Sequence, residues 1–210
     1  MGSEMCIRDS PNPSALFLDG RGEASSGAAV FAGLEGSRPV LTEIQALVAP
    51  SAFGTPRRAV VGWDSGRLAM VLAVLEARCG VSFAGKDVYL NVAGGLRINE
   101  PAADLAVAAA IASSAFDMPL PPDSVVFGEI SLSGDVRPVG RSDARLKEAA
   151  KLGFKQAISA KPSKSSTKND NAALPIIAIK ALPELISRVE ASADHGLDDD
   201  SAWGTAHKAA

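Results

Sequence analysis

Histidine is nearly absent from this chain: two residues, His195 and His207, stand among 210, both near the C-terminus. Serine–histidine and cysteine–histidine catalysis need an imidazole held in place, and the polar stretch around these two offers little to hold one. Cysteine is as scarce. Cys6 and Cys79 supply neither a disulfide framework nor the ligand set of a structural zinc site. Aromatic residues make up 5%, so base stacking is poorly supported, with Trp63 and Tyr89 as its only candidates. No G-x-x-x-x-G-K-[ST] run is present, hence no Walker-type phosphate loop. Gly94-Gly95 reads as a turn, because the rest of a dinucleotide fingerprint is missing. No apolar run is long enough to span a bilayer. The first ten residues, MGSEMCIRDS, lack the apolar core of a signal peptide and read as a scar of cloning or assembly, outside the fold. The expectation is a cytoplasmic protein with no membrane partner.

What is present has an ordinary globular balance, with 47% hydrophobic and 21% charged residues, and the length suits one domain with tails. A net charge of −3 conceals two opposed blocks. Arg137–Lys168 holds nine Lys/Arg against Asp143 and Glu148, whereas Glu184–Asp200 holds six acids against Arg188. A basic surface and an acidic tail follow. Residues 11–27 read as a proline-bounded lead-in and turn-rich linker, and 28–191 as the domain. Residues 192–210 form a tail too polar to order itself.

Two apolar runs across Glu35-Gly36-Ser37 predict a hairpin of Ala28–Leu34 with Pro39–Val48, and Pro56–Trp63 gives a third strand. Leu68, Val71, Leu72 and Leu75 recur at helical spacing between a capping Asp64 or Ser65 and a terminating Gly80. A helix is therefore predicted over Ser65–Cys79. Val88–Val92 is a strand that Gly94-Gly95 breaks. Pro101 in a first turn and an alanine-rich run predict a helix over Asn99–Phe116. Val125–Ile130 is expected to pair with Asp135–Val139 across Ser133-Gly134. Ser142 is expected to cap a basic helix ending at Gly153. Gln156–Ala160 and Pro175–Ile179 are short buried strands flanking the solvated loop Lys161–Ala172, and Pro183 starts a last helix reaching Val189. This mixture predicts an α+β domain, a mixed sheet with helices.

In that order, VYLNVAGG, NEPAADLAVAAAIASSAF, VVFGEISLSGDVRPVG and SDARLKEAAKLG resemble the proteolytic domain of the Lon protease family, a ribosomal protein S5 domain 2-like fold. That family sets its nucleophilic serine just after a proline at a helix start. A lysine on the helix after the GEI segment activates it. The resemblance puts Ala102 and Arg145 at these two positions. Ala102 has no oxygen to attack with, and a guanidinium stays protonated and cannot act as a base. Asp104 replaces a small residue beside them. The implied reading is a Lon fold without protease activity and with no catalytic residue, Ala102 and Arg145 marking a degenerate dyad. Ser113 and Ser114, with Lys147 as base, are rescue candidates; helix-face hydroxyls bonded to carbonyls one turn back are the plainer reading.

NPSALFL, SRPVLTEIQALVAPSAFGTPRRAVVG, GRLAMVLAVLEARCG, PLPPDSVVFGEISLSGDVRP and RLKEAAKLGF further make the chain similar, from about Asn12 to Ala160, to the C-terminal half of the RadA (Sms) family of bacterial DNA repair proteins. The resemblance implies a parent with a zinc finger and a RecA-like ATPase ahead of this domain, which use Zn, ATP and Mg. Such a parent drives branch migration of recombination intermediates during recombinational repair of DNA damage. This chain has neither part; the lead-in then follows the missing ATPase core, and no cofactor is expected here. The implied partners are further copies in a hexameric ring, single-stranded or branched DNA, and RecA recombinase through the parent. Candidate DNA contacts are Arg57, Arg58, Arg67, Arg97, Arg137, Arg141, Arg145, Lys147 and Lys151, whose charges neutralise phosphates with strong salt dependence. The alternatives are a solvated charged face on a scaffold that only holds the ring, and a residual Ser-Lys peptidase.

Overall fold

The computed structural model describes residues 25–52, 54–161, 174–195 and 203. The expected scar, most of the lead-in, nearly all of the solvated loop and most of the acidic tail lie outside the described residues. In chain order the elements are β1 (Ala28–Glu35), β2 (Arg38–Pro50), β3 (Arg58–Val61), α1 (Ser65–Cys79), β4 (Lys86–Val92), α2 (Asp104–Phe116), β5 (Ser124–Phe127), β6 (Glu129–Ile130), β7 (Val136–Arg137), α3 (Ser142–Lys151), β8 (Gln156–Ser159), β9 (Ile176–Ala178) and α4 (Leu182–His195). A seven-stranded sheet runs β3-β4-β2-β1-β5-β8-β9. The β1–β2 and β2–β4 pairs are antiparallel, while β3–β4, β1–β5, β5–β8 and β8–β9 are parallel. The fold is α+β, as the sequence predicts.

Helix α2 is the centre of the packing. Every residue from Leu105 to Ala112 is 0% exposed, and the helix lies against β1, β2, β5, α1 and α4. A helix apolar all round has no face to give to water and must be buried. Its alanines let neighbouring elements approach closely. Helix α1 keeps its predicted bounds because both ends are specified. The Asp64 carboxylate accepts the Arg67 N–H at 2.7 Å, and Gly80, at φ +71, closes the last turn on Glu76 O and Leu75 O.

The expected pairing of Val125–Ile130 with Asp135–Val139 does not form as a single hairpin. Ser124–Phe127 is buried at every position and enters the main sheet between β1 and β8, because the apolar run Val125–Phe127 needs cover on both faces. Only Glu129–Ile130 pairs with Val136–Arg137. Gly128, between the two, donates its N–H to Ala102 O at 2.8 Å and accepts the Leu105 N–H at 3.0 Å. A Cβ there would stand 3.0 Å from Val136 Cγ1 and 3.1 Å from Leu105 Cδ2, so the close crossing needs glycine. Ser142 is not the cap of α3. Arg141, at φ +58, holds that position with no side-chain bond, while Ser142 Oγ donates to Val139 O at 2.9 Å. Helix α4 runs past the expected Val189 to His195, and Trp203 is buried.

Candidate functional site

The start of α2 is fastened from two sides, by Gly128 and by an ion pair. Ala102, 3% exposed, offers its carbonyl to Gly128 and nothing reactive. Arg145, on the first turns of α3, is 2% exposed. Its Nη2 donates to Glu100 Oε2 at 2.6 Å and its Nη1 to Glu100 Oε1 at 3.1 Å. Nη1 also reaches Ala32 O at 2.6 Å, and the guanidinium carbon stands 5.8 Å from the centre of the Phe127 ring. Glu100 Oε1 takes a further bond, from the Leu34 N–H at 2.7 Å. The fork of an arginine matches the two oxygens of a carboxylate, and charge-assisted bonds of this kind are strong. One buried cation thus joins α3, β1 and the residue before Pro101.

Asp104 makes a second such link. It is 0% exposed, and Arg67 holds it through Nε to Oδ1 at 2.9 Å and Nη2 to Oδ2 at 2.5 Å. The Ile130 N–H adds a bond to Oδ2 at 3.2 Å. Burial pushes the Asp104 carboxyl above its ordinary range, opposed by Arg67 and the Ile130 N–H, while the bond to Asp104 raises the Arg67 guanidinium. The rescue serines are committed elsewhere. Ser113 Oγ accepts the Gly27 N–H at 2.8 Å and donates to Met118 O at 2.5 Å; Ser114 Oγ accepts the Val48 N–H at 2.9 Å. Neither bonds a carbonyl one turn back, as the plainer reading had it; both tie the end of α2 to the entry of β1 and to β2. Lys147 is exposed and meets neither serine.

Cys79 is half-buried, and burial alone pushes its thiol up to about 11. Thiolate is the reactive form, so Cys79 is expected to resist iodoacetamide at pH 8 while an exposed thiol alkylates. Peptide mapping after timed quenching checks this, and rapid labelling of Cys79 contradicts it. Among the described residues no group of three or more His, Cys, Asp or Glu is placed to hold a metal ion. Nor is any helix among them long and apolar enough to cross a membrane.

The nine candidate cations separate into two kinds. Arg145 is withdrawn as a DNA contact, since its charge is buried on Glu100. Arg67 is spent on Asp104, and Arg58 donates to Arg57 O, Lys86 O and Phe83 O, closing the turn ahead of β4. Arg57, Arg97, Arg137, Arg141, Lys147 and Lys151 are exposed. Arg67 and Arg137 line one hollow of about 410 Å3 beside the β6–β7 turn. Lys147 and Lys151 lie one turn apart on α3, with Lys151 3.4 Å from Glu148. Trp63 is buried and leaves the stacking candidates; Tyr89 is 36% exposed. The sequence reading gave Glu100 no role. The signal was present: an arginine at a core position of α3 requires a carboxylate near it.

A family model described as subunit ChlI of Mg-chelatase matches residues 52–163, just over half of the chain and the whole stretch from α1 to α3. The chain belongs to this family. It is also similar to proteins named DNA repair protein RadA. The one from Brucella abortus is 63% identical over 186 residues, 89% of this chain and 39% of the relative. The one from Rickettsia bellii is 58% identical over 150 residues, 71% of this chain and 34% of the relative. The one from Pseudomonas aeruginosa is 48% identical over 180 residues, 86% and 39% respectively. The chain therefore spans less than half the length of these curated relatives.

Proposed function

We propose that the chain is the non-proteolytic, Lon-like domain of a RadA-type DNA repair protein, and that it contacts DNA through its exposed cations. The observation that carries the loss of proteolysis is Arg145: where the resemblance calls for a neutralisable lysine, a buried guanidinium is locked to Glu100. The RadA relatives supply the repair context. In this reading the parent adds the zinc finger and the ATPase, with their Zn, ATP and Mg, and the contact with RecA recombinase. Branch migration belongs to that parent, whose hexameric ring this domain helps to close; head-to-tail contacts close rings when the rotation allows it.

The DNA-contacting set is narrower than the nine cations of the sequence, centred on Arg137, Arg141, Lys147 and Lys151 with Arg57 and Arg97 apart. The test is binding of labelled single-stranded and forked DNA across a salt series. Each phosphate neutralised adds about 0.7 to 0.9 to the slope of log affinity against log salt. The triple variant Arg141→Ala, Lys147→Ala, Lys151→Ala is expected to flatten that slope by about 2 with oligomer mass unchanged. An unaltered slope sinks the DNA contact.

One observation favours a purely structural scaffold instead. Leu47 and Val61 are 56% and 58% exposed on the open face of β2, β4 and β3, around a hollow of about 350 Å3 shared with Tyr89. Exposed apolar patches mark contact surfaces, and salt-independent oligomer mass with no DNA binding supports this second reading.

A further inference from the structure

β2 and β4 stop pairing at Ile44 and Val92, and a short turn, Ala93–Gly95, leads the chain away from β2. The next residues, Leu96–Glu100, contain no turn or bend, and both ends of the segment are extended: Leu96 has φ −68, ψ 150 and Glu100 φ −101, ψ 141. Between this segment and the end of the β1–β2 hairpin lies a cleft of about 280 Å3. Phe31, Val40, Leu96 and Ile98 give it apolar walls.

The segment has main-chain bonding to spare. Ile98 donates its N–H to Gly62 O at 2.9 Å, whereas Arg97 and Asn99 meet no main-chain partner among the described residues. Alternate residues of an extended chain point to opposite sides, so Arg97 and Asn99 turn their N–H and C=O groups away from Gly62. Such an edge can receive an added strand. The cleft is also held in shape. Glu100, on the segment, takes the Leu34 N–H of the hairpin and the Arg145 guanidinium at once, so both walls are fixed before anything enters. With its oxygens thus occupied, Glu100 repels little. Arg97 and Glu35 leave one positive and one negative pole on the rim.

We propose that this cleft captures an extended peptide of a partner protein, seating one large apolar side chain and pairing its main chain with Arg97 and Asn99. The peptide carries an acidic residue, or a C-terminal carboxylate, on the Arg97 side of its anchor. Ala102, without a nucleophile, leaves it uncut. Arg97 aside, peptide capture uses none of the cations assigned to DNA, and the Arg141, Lys147 and Lys151 variant leaves the cleft untouched, so either reading can fail without the other.

The test selects a phage-displayed random heptapeptide library on the full chain, then measures the labelled winning peptide by fluorescence polarisation. Winners are expected to share one large apolar residue with an acid close by. Asn99→Pro removes one pairing N–H and is expected to weaken binding about tenfold, the loss of one hydrogen bond, whereas Asn99→Ala keeps it. Arg97→Glu is expected to weaken binding by a similar factor, and serves alone if Asn99→Pro unfolds. No enrichment of apolar-anchored sequences overturns the proposal, as does binding indifferent to Asn99→Pro and to Arg97→Glu. A Phe17→Ser variant that binds the peptide tenfold more tightly also overturns it, by giving the cleft to residues 11–18 of the chain itself.

Discussion

Arg145→Ala is expected to lower stability by about 3 kcal/mol, the low end for breaking a buried ion pair. The low end applies because the Glu100 side chain keeps 22% exposure while Arg145 keeps 2%. Removing the guanidinium strands the Glu100 carboxylate beside the Leu34 N–H and leaves Ala32 O without its donor. Arg145→Lys keeps the charge but not the fork, so its loss falls between wild type and alanine. Glu100→Leu combined with Arg145→Met is expected to recover most of the loss, since replacing both members of a buried pair removes the stranded charge. Urea midpoints at constant m value read all three. A loss under 1 kcal/mol for Arg145→Ala contradicts the structural role, and leaves Arg145 free for phosphate after all.

Arg67→Ala acts on the other fastening and acquires a pH dependence. Asp104 is fully buried, and without Arg67 only the Ile130 N–H opposes desolvation. The expected loss at neutral pH is about 3 kcal/mol. Burial already holds the Asp104 carboxyl above its unfolded value, and removing Arg67 moves it further in that direction. A folded value above the unfolded one means that the folded state binds the extra proton, so the variant gains relative stability as pH falls and loses it as pH rises. The deficit against wild type is therefore expected to narrow at about pH 5. Arg67→Ala with Asp104→Asn is expected to show a smaller deficit with no such trend. Equal deficits at both pH values would mean that water reaches Asp104 through the 31% exposed Arg67 site.

Much of the fold was legible because local chemistry and burial agreed. Asp64 and Gly80 bound α1 at the predicted residues, and the alanine run of α2 announced a helix, although its regular turns begin at Asp104, after a tighter turn over Pro101–Ala103, and not at the expected Asn99. Gly36 and Ser37 turned the first hairpin where expected, with Glu35 opposite Arg38. The stretch from Val125 misled, because an apolar run of that length fits a hairpin arm and a central strand equally well. Only the crossing at Gly128, which depends on α2 far back in the chain, decides between them. The site was less legible still. A sequence shows where charges are but not which way they point, so Arg58, Arg67 and Arg145 entered the list of phosphate contacts beside Arg141 and Lys147. The carboxylates that hold two of them stand far off in sequence, Glu100 at 45 residues from Arg145 and Asp104 at 37 from Arg67. Ser113 and Ser114 read as possible nucleophiles for the same reason, their acceptors and donors lying on other elements.

Fluorophosphonate labelling, read by intact mass, tests the central claim most directly: that positions suited to a dyad now serve structure. The chain would be treated beside a variant carrying Ala102→Ser and Arg145→Lys. A lysine at 145 faces the Glu100 carboxylate, and an adjacent opposite charge keeps an amine protonated, so it cannot activate the new serine. The account predicts no covalent adduct on either protein. An adduct on the wild-type chain, lost with Ser113→Ala or Lys147→Ala, would contradict it and restore the peptidase.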